Sequence, residues 1–305
     1  MKMTEFISDK NNGLDYTLVG EVYLPNLIST ETNYEIGVWG QRHLEYIKSV
    51  TDFEPEIAIV LGSGLGELAN ETTAIAKIEY KDIPDMPVST APSHKGQFVF
   101  GILEGKKVVL MQGRVHLYEG YSSNQIAGII RLLKDLGVKT LLLTNAAGGI
   151  NKEFNVGDFM LIKDHISCFI DSPLIGANDE NYGTRFPDMS NAYDKNLQRL
   201  IKKVAFENNI NLKEGTYVQL KGPQFETPSE IKMMSILGAD AVGMSTAVET
   251  IAGVHCGLKV GAISMISNMA CGIYDKPLSG EDVTKAAEKA GPQFRKLIKE
   301  TVKAL

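Results

Sequence analysis

The sequence "QFVFGILEGKKVVLMQGRVHLYEGY", residues 97–121, contains two apolar runs that flank the dipeptide Glu104-Gly105. A short polar turn with glycine between two β-prone runs is typical of a β-hairpin. The stretch therefore predicts two neighbouring strands and a sheet as the basis of the fold.

The end of this stretch is unusual, because Arg114, His116 and Tyr118 fall on every second position. In a strand, that spacing points all three side chains to one face. Polar and amphipathic groups on a face that should be core need something to lie against. This pattern indicates a binding site at the end of the second strand.

Further apolar runs alternate with amphipathic helical stretches along the chain, which predicts a mixed α/β sheet covered by helices. No repeat, low-complexity tract or linker divides the chain, although residues 1–33 carry few structural signals. The predicted strands are "PEIAIVLG", "TLLLTNAAGG", "DFMLIKDHI", "GTYVQLKG", "ADAVGMS" and "KVGAISMISN".

Helix boundaries are marked by capping boxes and by glycines that follow apolar helical runs. Pro228 occupies a first helical position, where its missing N–H costs least. The capping pairs are Thr32 with Glu35, Ser122 with Gln125, Thr227 with Glu230, and Thr246 with Glu249, and the stop glycines are Gly137, Gly238 and Gly257.

Composition excludes several classes of protein. The chain has 305 residues and a net charge of −6, and no basic run is available to neutralise a nucleic acid or an anionic membrane. No apolar stretch reaches membrane-spanning length and no signal peptide is evident, which predicts a cytoplasmic protein. Cys168, Cys256 and Cys271 are widely spaced, so we expect buried free thiols and no thiolate metal site.

Three strand ends carry small or hydroxyl residues suited to an anion. Ser63 lies in the glycine turn of "AIVLGSGLGEL", Ala146 in "TNAAGG", and Ser245 before the helix start of "AVGMSTAVET". Arg114 adds a donor fork that fits phosphate, and His116 adds another donor. Together these residues predict a pocket for inorganic phosphate. A plain glycine turn and a solvated Arg–His strand end remain the alternatives at this point, and His94 alone is more typical of a structural histidine.

The glycine turn also bears on a different class of enzyme. Gly62, Gly64 and Gly66 have the spacing G-x-G-x-G, and Glu67 stands where a dinucleotide-binding fingerprint requires glycine. A Rossmann-type oxidoreductase is therefore disfavoured.

The motifs "LGSGLG", "SHKG", "MQGRVHLYEGY", "TNAAGG", "GDFMLIKDHI", "GPQFETPSE" and "GADAVGMSTAVETIAGVHCGL" follow one another as in the trimeric purine nucleoside phosphorylases, which the chain resembles from about residue 36 onwards. The resemblance implies a single α/β domain over residues 34–305, with a twisted mixed β-sheet flanked by helices, and a homotrimer. It implies reversible phosphorolysis of purine nucleosides, preferably inosine and guanosine, with inorganic phosphate as co-substrate and no metal or other cofactor. Residues 1–33 are then an N-terminal extension of uncertain structure.

Site residues follow from the same resemblance, position by position. It implies phosphate contacts, ribose contacts, purine contacts and three catalytic residues. These are Ser63, His94, Arg114, His116, Ala146 and Ser245 for phosphate, Tyr118 and Met244 for ribose, Phe225, Glu226 and Asn268 for the purine, and His94, Glu226 and Asn268 for catalysis.

The chain departs from this family in two places. Gly280 stands where many members have a histidine that contacts the ribose 5′-hydroxyl, and Phe169 is the only aromatic residue in a short loop that in relatives lends a phenylalanine to the neighbouring subunit. The first departure suits a 5′-methylthioadenosine phosphorylase, although the predicted base contacts argue against one. A catalytically silent purine-binding protein is a further alternative, which the complete set of phosphate residues disfavours.

Overall fold

The computed structural model describes residues 6–9, 14–19, 22–25, 36–91, 94–274 and 278–305, and before residue 40 it describes the backbone alone. Contacts divide the chain into two compact units, one up to Val38 and one from Trp39 to Leu305. The predicted helix cap at Thr32 and Glu35 lies outside the described residues.

The N-terminal unit contains a small antiparallel sheet. Its strands β1 (Phe6–Asp9), β2 (Leu14–Val19) and β3 (Val22–Pro25) lie in the order β1-β2-β3. Helix α1 (Ile36–Val50) follows.

The larger unit is built on a nine-stranded sheet with the order β11-β10-β9-β12-β8-β4-β7-β6-β5. Strands β12, β8, β4 and β7 are parallel to one another, whereas β6, β5 and β9 join antiparallel neighbours, so the sheet is mixed as predicted. The strands are β4 (Ile57–Leu61), β5 (Thr73–Glu79), β6 (Gln97–Leu103), β7 (Lys106–Gln112), β8 (Thr140–Gly149), β9 (Phe159–Ile166), β10 (Leu212–Gln219), β11 (Ala241–Gly243) and β12 (Lys259–Met269).

Helices cover the sheet and form two large apolar layers with it. Residues of α2 and α5 belong to one layer, and residues of α3 and α6 belong to the other, where Phe159 stacks on Phe294 at 4.9 Å between ring centres. This arrangement confirms the predicted fold class. The helices are α2 (Ser123–Asp135), α3 (Lys195–Glu207), α4 (Pro228–Ile236), α5 (Ala247–His255) and α6 (Gly280–Ala304).

Local signals in the sequence correspond closely to the structure. The hairpin turns at Glu104 and Gly105, whose φ angles of 48° and 79° give the left-handed turn that matches strand twist. Ser122 and Thr227 cap α2 and α4 through their side chains, and the stop glycines have positive φ. Strand β5 was not predicted because it is an edge strand with mostly exposed side chains and so lacks an apolar run.

Two expectations are wrong. Strand β7 ends at Gln112, so Arg114, His116 and Tyr118 do not continue it. Gly113 turns the chain with φ 111°, and only glycine fits there, because a side-chain carbon would lie 2.7 Å from Cβ of His94; a short 3₁₀ helix follows at Leu117–Glu119. The strand–turn–helix pattern of "AIVLGSGLGEL" predicts a helix start after β4, and the structure has a five-residue 3₁₀ helix there (Gly66–Asn70) instead of an α-helix, with Gly64 packed against Ala287 of α6.

Close packing at Gly62 is expected to be essential for the fold. A side-chain carbon there would lie 2.6 Å from the carbonyl oxygen of Thr144 and 2.7 Å from the Cα of Asn145, and both atoms belong to the backbone of β8. Gly62→Ala should therefore lower the free energy of unfolding by about 1–3 kcal/mol. Thermal unfolding followed by circular dichroism measures the change.

The matched control is Gly128→Ala within α2, where an added carbon meets nothing within 4 Å. It should be neutral or stabilising by up to about 1 kcal/mol, since alanine is the better helix former. Equal melting temperatures for Gly62→Ala and the unmodified protein would contradict the expectation.

Candidate active site

The predicted site residues follow strands that end at one edge of the sheet. Because β4, β7, β8 and β12 are parallel, their carboxyl ends meet there; ligands bind at such ends in α/β proteins, and we refer to this end of the sheet as the crevice. Ser63 follows β4, Arg114 follows β7, and Ala146 and Asn268 lie near the carboxyl ends of β8 and β12.

Arg114 is the most buried charged residue of this crevice, with 2% of its surface exposed. Its Nε donates to a carboxylate oxygen of Glu249 at 3.0 Å, and its Nη1 donates to the carbonyl of Thr144 at 2.7 Å and to Oγ of Ser245 at 3.1 Å. Three elements that are distant in sequence therefore hold one guanidinium group in a fixed plane.

The remaining nitrogen of that group, Nη2 of Arg114, is buried and has no hydrogen-bond partner among the described residues. An unpaired buried donor is costly, and most such groups in native proteins have a partner. Inorganic phosphate suits this position, because its oxygens accept the hydrogen bonds that an arginine fork offers.

Ser245 and Thr246 form a strained turn between β11 and α5. Thr246 has φ 83°, a left-handed conformation that is rare for a β-branched residue. Asn145 donates to Oγ1 of Thr246 at 2.8 Å, and the N–H of Thr246 donates to Glu249 at 2.6 Å. These contacts bring the Ser245 hydroxyl beside Arg114.

His94, His116 and Tyr118 form a stack of rings despite the early end of β7. The ring of His116 lies 5.2 Å from that of His94 and 4.5 Å from that of Tyr118, nearly parallel to both. Nδ1 of His94 lies 2.9 Å from the carbonyl oxygen of Arg114. The stack therefore adjoins the backbone of Arg114.

Charge in this stack is set by burial and by Glu119. Burial, with the nearby charge of His116, lowers the pKa of His94 to about 4, so His94 is neutral at physiological pH. Burial opposes ionisation of Glu119, but hydrogen bonds from His116 and Thr90 hold the pKa of this carboxyl at about 2. Burial raises the pKa of Tyr118 to about 12, which keeps its phenol protonated.

Glu119 in turn orients His116. It accepts from the backbone N–H of His116 at 2.8 Å and lies 2.9 Å from Nδ1 of the same residue. Nδ1 of His116 is therefore the protonated donor to Glu119, and Nε2 is left for another partner.

Of the predicted purine residues, Asn268 lies on β12 of the central sheet. Asn268 pairs with Gly148 of β8, and a side-chain carbon at Gly148 would lie 3.3 Å from the Asn268 amide nitrogen and 3.3 Å from Val242. Oδ1 of Asn268 accepts from Ser267 at 2.8 Å. The absence of a side chain at Gly148 leaves space beside the amide.

Glu226 and Phe225 precede the capped start of α4. Burial raises the pKa of the Glu226 carboxyl, its own backbone N–H opposes this, and the charge of Glu230 adds to it. Phe225 is 40% exposed, unlike the buried Arg114 and His116. Met244 packs against Gly222, so the segment that carries Phe225 and Glu226 contacts the strand end that carries Met244.

Two further predicted positions lie at the margins. Phe169 is partly buried against this protomer's own small apolar cluster, which includes Ile231 and Met234 of α4. A side-chain carbon at Gly280 would meet nothing within 4 Å, so the start of α6 is open there. Cys168 is exposed and Cys271 is only partly buried, contrary to expectation, because both lie in loops after strands; Cys256 is buried as predicted.

Sequence reasoning missed the supporting carboxylates. Glu249 was identified only as a capping acid, and nothing in the sequence links it to Arg114, which lies 135 residues away. Glu119 follows His116 by three residues, a spacing that signals contact in a helical turn. That spacing is the only sequence signal for its role.

The described residues contain no cluster of His, Cys, Asp and Glu side chains arranged to hold a metal ion. In the same part of the chain, no helix combines the length and apolar character that crossing a bilayer requires.

Similarity to known proteins agrees with this geometry. The sequence pattern of the phosphorylase superfamily matches residues 56–303. Purine nucleoside phosphorylase 1 of Bacillus subtilis (strain 168) is 48% identical over 262 residues, which are 86% of this chain and 97% of the relative. The purine nucleoside phosphorylase of Bos taurus is 43% identical over 83% of this chain and 90% of its own length.

A solved structure of a purine nucleoside phosphorylase is also similar to this chain. The purine nucleoside phosphorylase of Schistosoma mansoni in complex with inosine superposes with a TM-score of 0.82 at 38% identity, covering 88% of this chain and 96% of the other. The chain therefore belongs to the phosphorylase superfamily, and within it to the purine nucleoside phosphorylases.

Proposed function

We propose that this protein catalyses the reversible phosphorolysis of purine nucleosides, giving a free purine base and ribose 1-phosphate or deoxyribose 1-phosphate. The unpaired Nη2 of buried Arg114, at the meeting point of the strand ends, is the observation that carries the proposal. Related structures from Schistosoma hold inosine, guanosine or adenosine, or ribose 1-phosphate with cytosine, which supports it.

Inorganic phosphate is the co-substrate in this proposal, and the reaction needs no metal or other cofactor. Arg114, His116, Ser63 and Ser245 hold the phosphate, with His94 and the Ala146 backbone beside them. One phosphate oxygen forms a bond to C1′ as the bond from C1′ to the purine breaks. The purine leaves with the electron pair, and the phosphate charge stabilises the ribosyl cation that develops between them.

Ribose lies between phosphate and base, next to Tyr118 and Met244. The protonated phenol of Tyr118 donates a hydrogen bond to a sugar hydroxyl. Open space at Gly280 leaves the 5′ position less confined than a histidine would.

The base is recognised by Glu226 and Asn268, with Phe225 against its face. A carboxylate only accepts hydrogen bonds, so ionised Glu226 pairs with N1–H of a 6-oxopurine and opposes the N1 lone pair of adenine. The Asn268 amide donates to O6 and stabilises charge on the departing base.

The proposal includes a homotrimer that works in the cytoplasm on a small nucleoside, with neither nucleic acid nor membrane as partner. Phe225 is exposed in a single chain, and Phe169 of a neighbouring subunit is the aromatic residue that completes the site. Light scattering should give the mass of about three chains, and Phe169→Ala should weaken nucleoside binding more than phosphate binding. An active monomer would rule out this arrangement.

Phosphate dependence is the first test in solution. Inosine cleavage should require phosphate and should survive a metal chelator. Arg114→Ala should reduce kcat/KM for phosphate, because it removes a charge-assisted contact in a buried site. The lost transition-state stabilisation should be about 2–4 kcal/mol. Cleavage at an equal rate without phosphate would refute the reaction, and an unchanged kcat/KM would remove Arg114 from it.

Base preference is the second test. Inosine, guanosine and their deoxy forms should be cleaved at least about tenfold to a hundredfold more efficiently than adenosine and 5′-methylthioadenosine, because adenine leaves polar groups unpaired. Asn268→Asp should shift the preference towards 6-aminopurines. Faster cleavage of 5′-methylthioadenosine than of inosine would instead establish the alternative, a 5′-methylthioadenosine phosphorylase.

The raised pKa of Glu226 makes base preference depend on pH. As the pH falls from about 7 to about 5, Glu226 gains a proton at a higher pH than an exposed glutamate does. The protonated carboxyl group then donates a hydrogen bond to N1 of adenine. The ratio of kcat/KM for inosine to that for adenosine should therefore fall with pH.

Glu226→Gln is the control for this effect, because glutamine does not titrate and its ratio should stay constant. A pH effect that changes kcat/KM equally for inosine and adenosine cancels in their ratio. A ratio that is constant or rises at low pH in the unmodified enzyme would exclude Glu226 as the base-recognising group.

A further inference from the structure

Glu249 is buried at the third position of α5, with 3% of its surface exposed. Its carboxylate accepts from Nε of Arg114 at 3.0 Å and from the N–H of Thr246 at 2.6 Å. One side chain thus joins the two segments that form the phosphate cradle. We propose that Glu249 is a positioning residue for phosphate, a role that rests on the proposed function.

The first part of this role concerns Arg114. A guanidinium group is planar, so fixing two of its nitrogens fixes the direction of the third. Glu249 holds Nε, while the Thr144 carbonyl and the Ser245 hydroxyl hold Nη1. Nη2 is then the only nitrogen free to meet phosphate, and it is already oriented before phosphate binds.

The second part concerns Ser245. The residue after it, Thr246, has the left-handed conformation noted above, which persists only where surrounding contacts impose it. The Glu249 carboxylate holds the N–H of Thr246, and Asn145 holds its hydroxyl. Loss of the carboxylate would allow this turn to relax and would move the Ser245 hydroxyl away from Arg114.

Charge and position predict opposite effects for removal of Glu249. Its negative charge lies beside the phosphate pocket, so on charge alone its removal should strengthen binding of an anion. If its main role is to orient Arg114 and the Ser245 turn, its removal should weaken phosphate binding. The sign of the change therefore distinguishes the two roles.

Glu249→Gln is the informative variant, because it keeps size and shape and leaves Arg114 in place. Each oxygen of the Glu249 carboxylate accepts one of these bonds. The single oxygen of a glutamine can replace one of them, but its amide nitrogen only donates and cannot accept from Nε of Arg114 or from the N–H of Thr246. The KM for phosphate should rise by about tenfold to a hundredfold, the range expected for a charge-assisted contact, while the KM for inosine changes little.

Gln125→Ala is the matched control. Gln125 occupies the same third helical position in α2 and accepts from the N–H of its cap residue Ser122 at 2.9 Å, but it is exposed and contacts no arginine in the described hydrogen bonds. Its KM for phosphate should equal that of the unmodified enzyme. An equal rise in both variants would show that helix capping, and not positioning, is responsible.

Glu249→Asp is assayed alongside in case the glutamine variant does not fold. It keeps the charge but withdraws the carboxylate by one carbon, so it should also raise the KM for phosphate. Melting temperatures measured against increasing phosphate give the affinity without turnover. Unchanged or tighter phosphate binding in the variant that folds would overturn the proposal.

Failure of the proposed function and failure of the proposed role of Glu249 give different results. If the unmodified enzyme does not cleave inosine with phosphate, the reaction is wrong, and phosphate-dependent melting still reports whether Glu249 positions the anion site.

Discussion

The burial of the Arg114 guanidinium is the constraint on which the rest of the site depends. A buried charge is tolerated only when it is paired and its donors are satisfied. Arg114 meets this condition at Nε and Nη1 through Glu249, Thr144 and Ser245, which lie on α5, β8 and the turn after β11, whereas Nη2 has no partner among the described residues. The sheet order brings these elements together, because β11 runs antiparallel to β8 at the end of that strand.

The same region carries features that work against stability. Nη2 of Arg114 lacks a partner, and Thr246 holds a conformation that costs on the order of 1–3 kcal/mol. Departures of this kind are concentrated at functional sites and are compensated elsewhere. Here the compensation comes from two large apolar layers on either side of the sheet. The sheet and its helices thus hold a guanidinium group with one unpaired donor, which is where the proposed function places phosphate.

The residues predicted to hold phosphate and those predicted to recognise the base differ in burial. Of the former, Arg114 and His116 are buried, and Glu119 and Glu249 orient them. Of the latter, Phe225 is exposed, while Glu226 is buried with a raised pKa. This difference suits the proposed phosphorolysis, in which a nucleoside must enter the site and a purine must leave it.

Much of the fold could be read from the sequence. The apolar runs gave all the strands of the large sheet except β5, whose exposed edge position leaves no apolar run, and the capping residues marked α2 and α4 correctly. These features are local, because a strand or a cap depends on residues within a few positions of one another. The contact between Arg114 and Ser245 joins two of the residues that the sequence predicts around phosphate, and the phosphate pocket itself stays a prediction.

The sequence by itself determined which chemical groups stand near the strand ends and are therefore available to the site. Only the tertiary structure decided how those groups are oriented. It ended β7 at Gln112, stacked His116 between His94 and Tyr118, and placed Glu249 against Arg114 across 135 residues. The physical reason is that the orientation of these groups comes from pairing between elements that are distant in sequence. That pairing is determined by the order and crossings of the strands, which leave no periodic signal in the sequence.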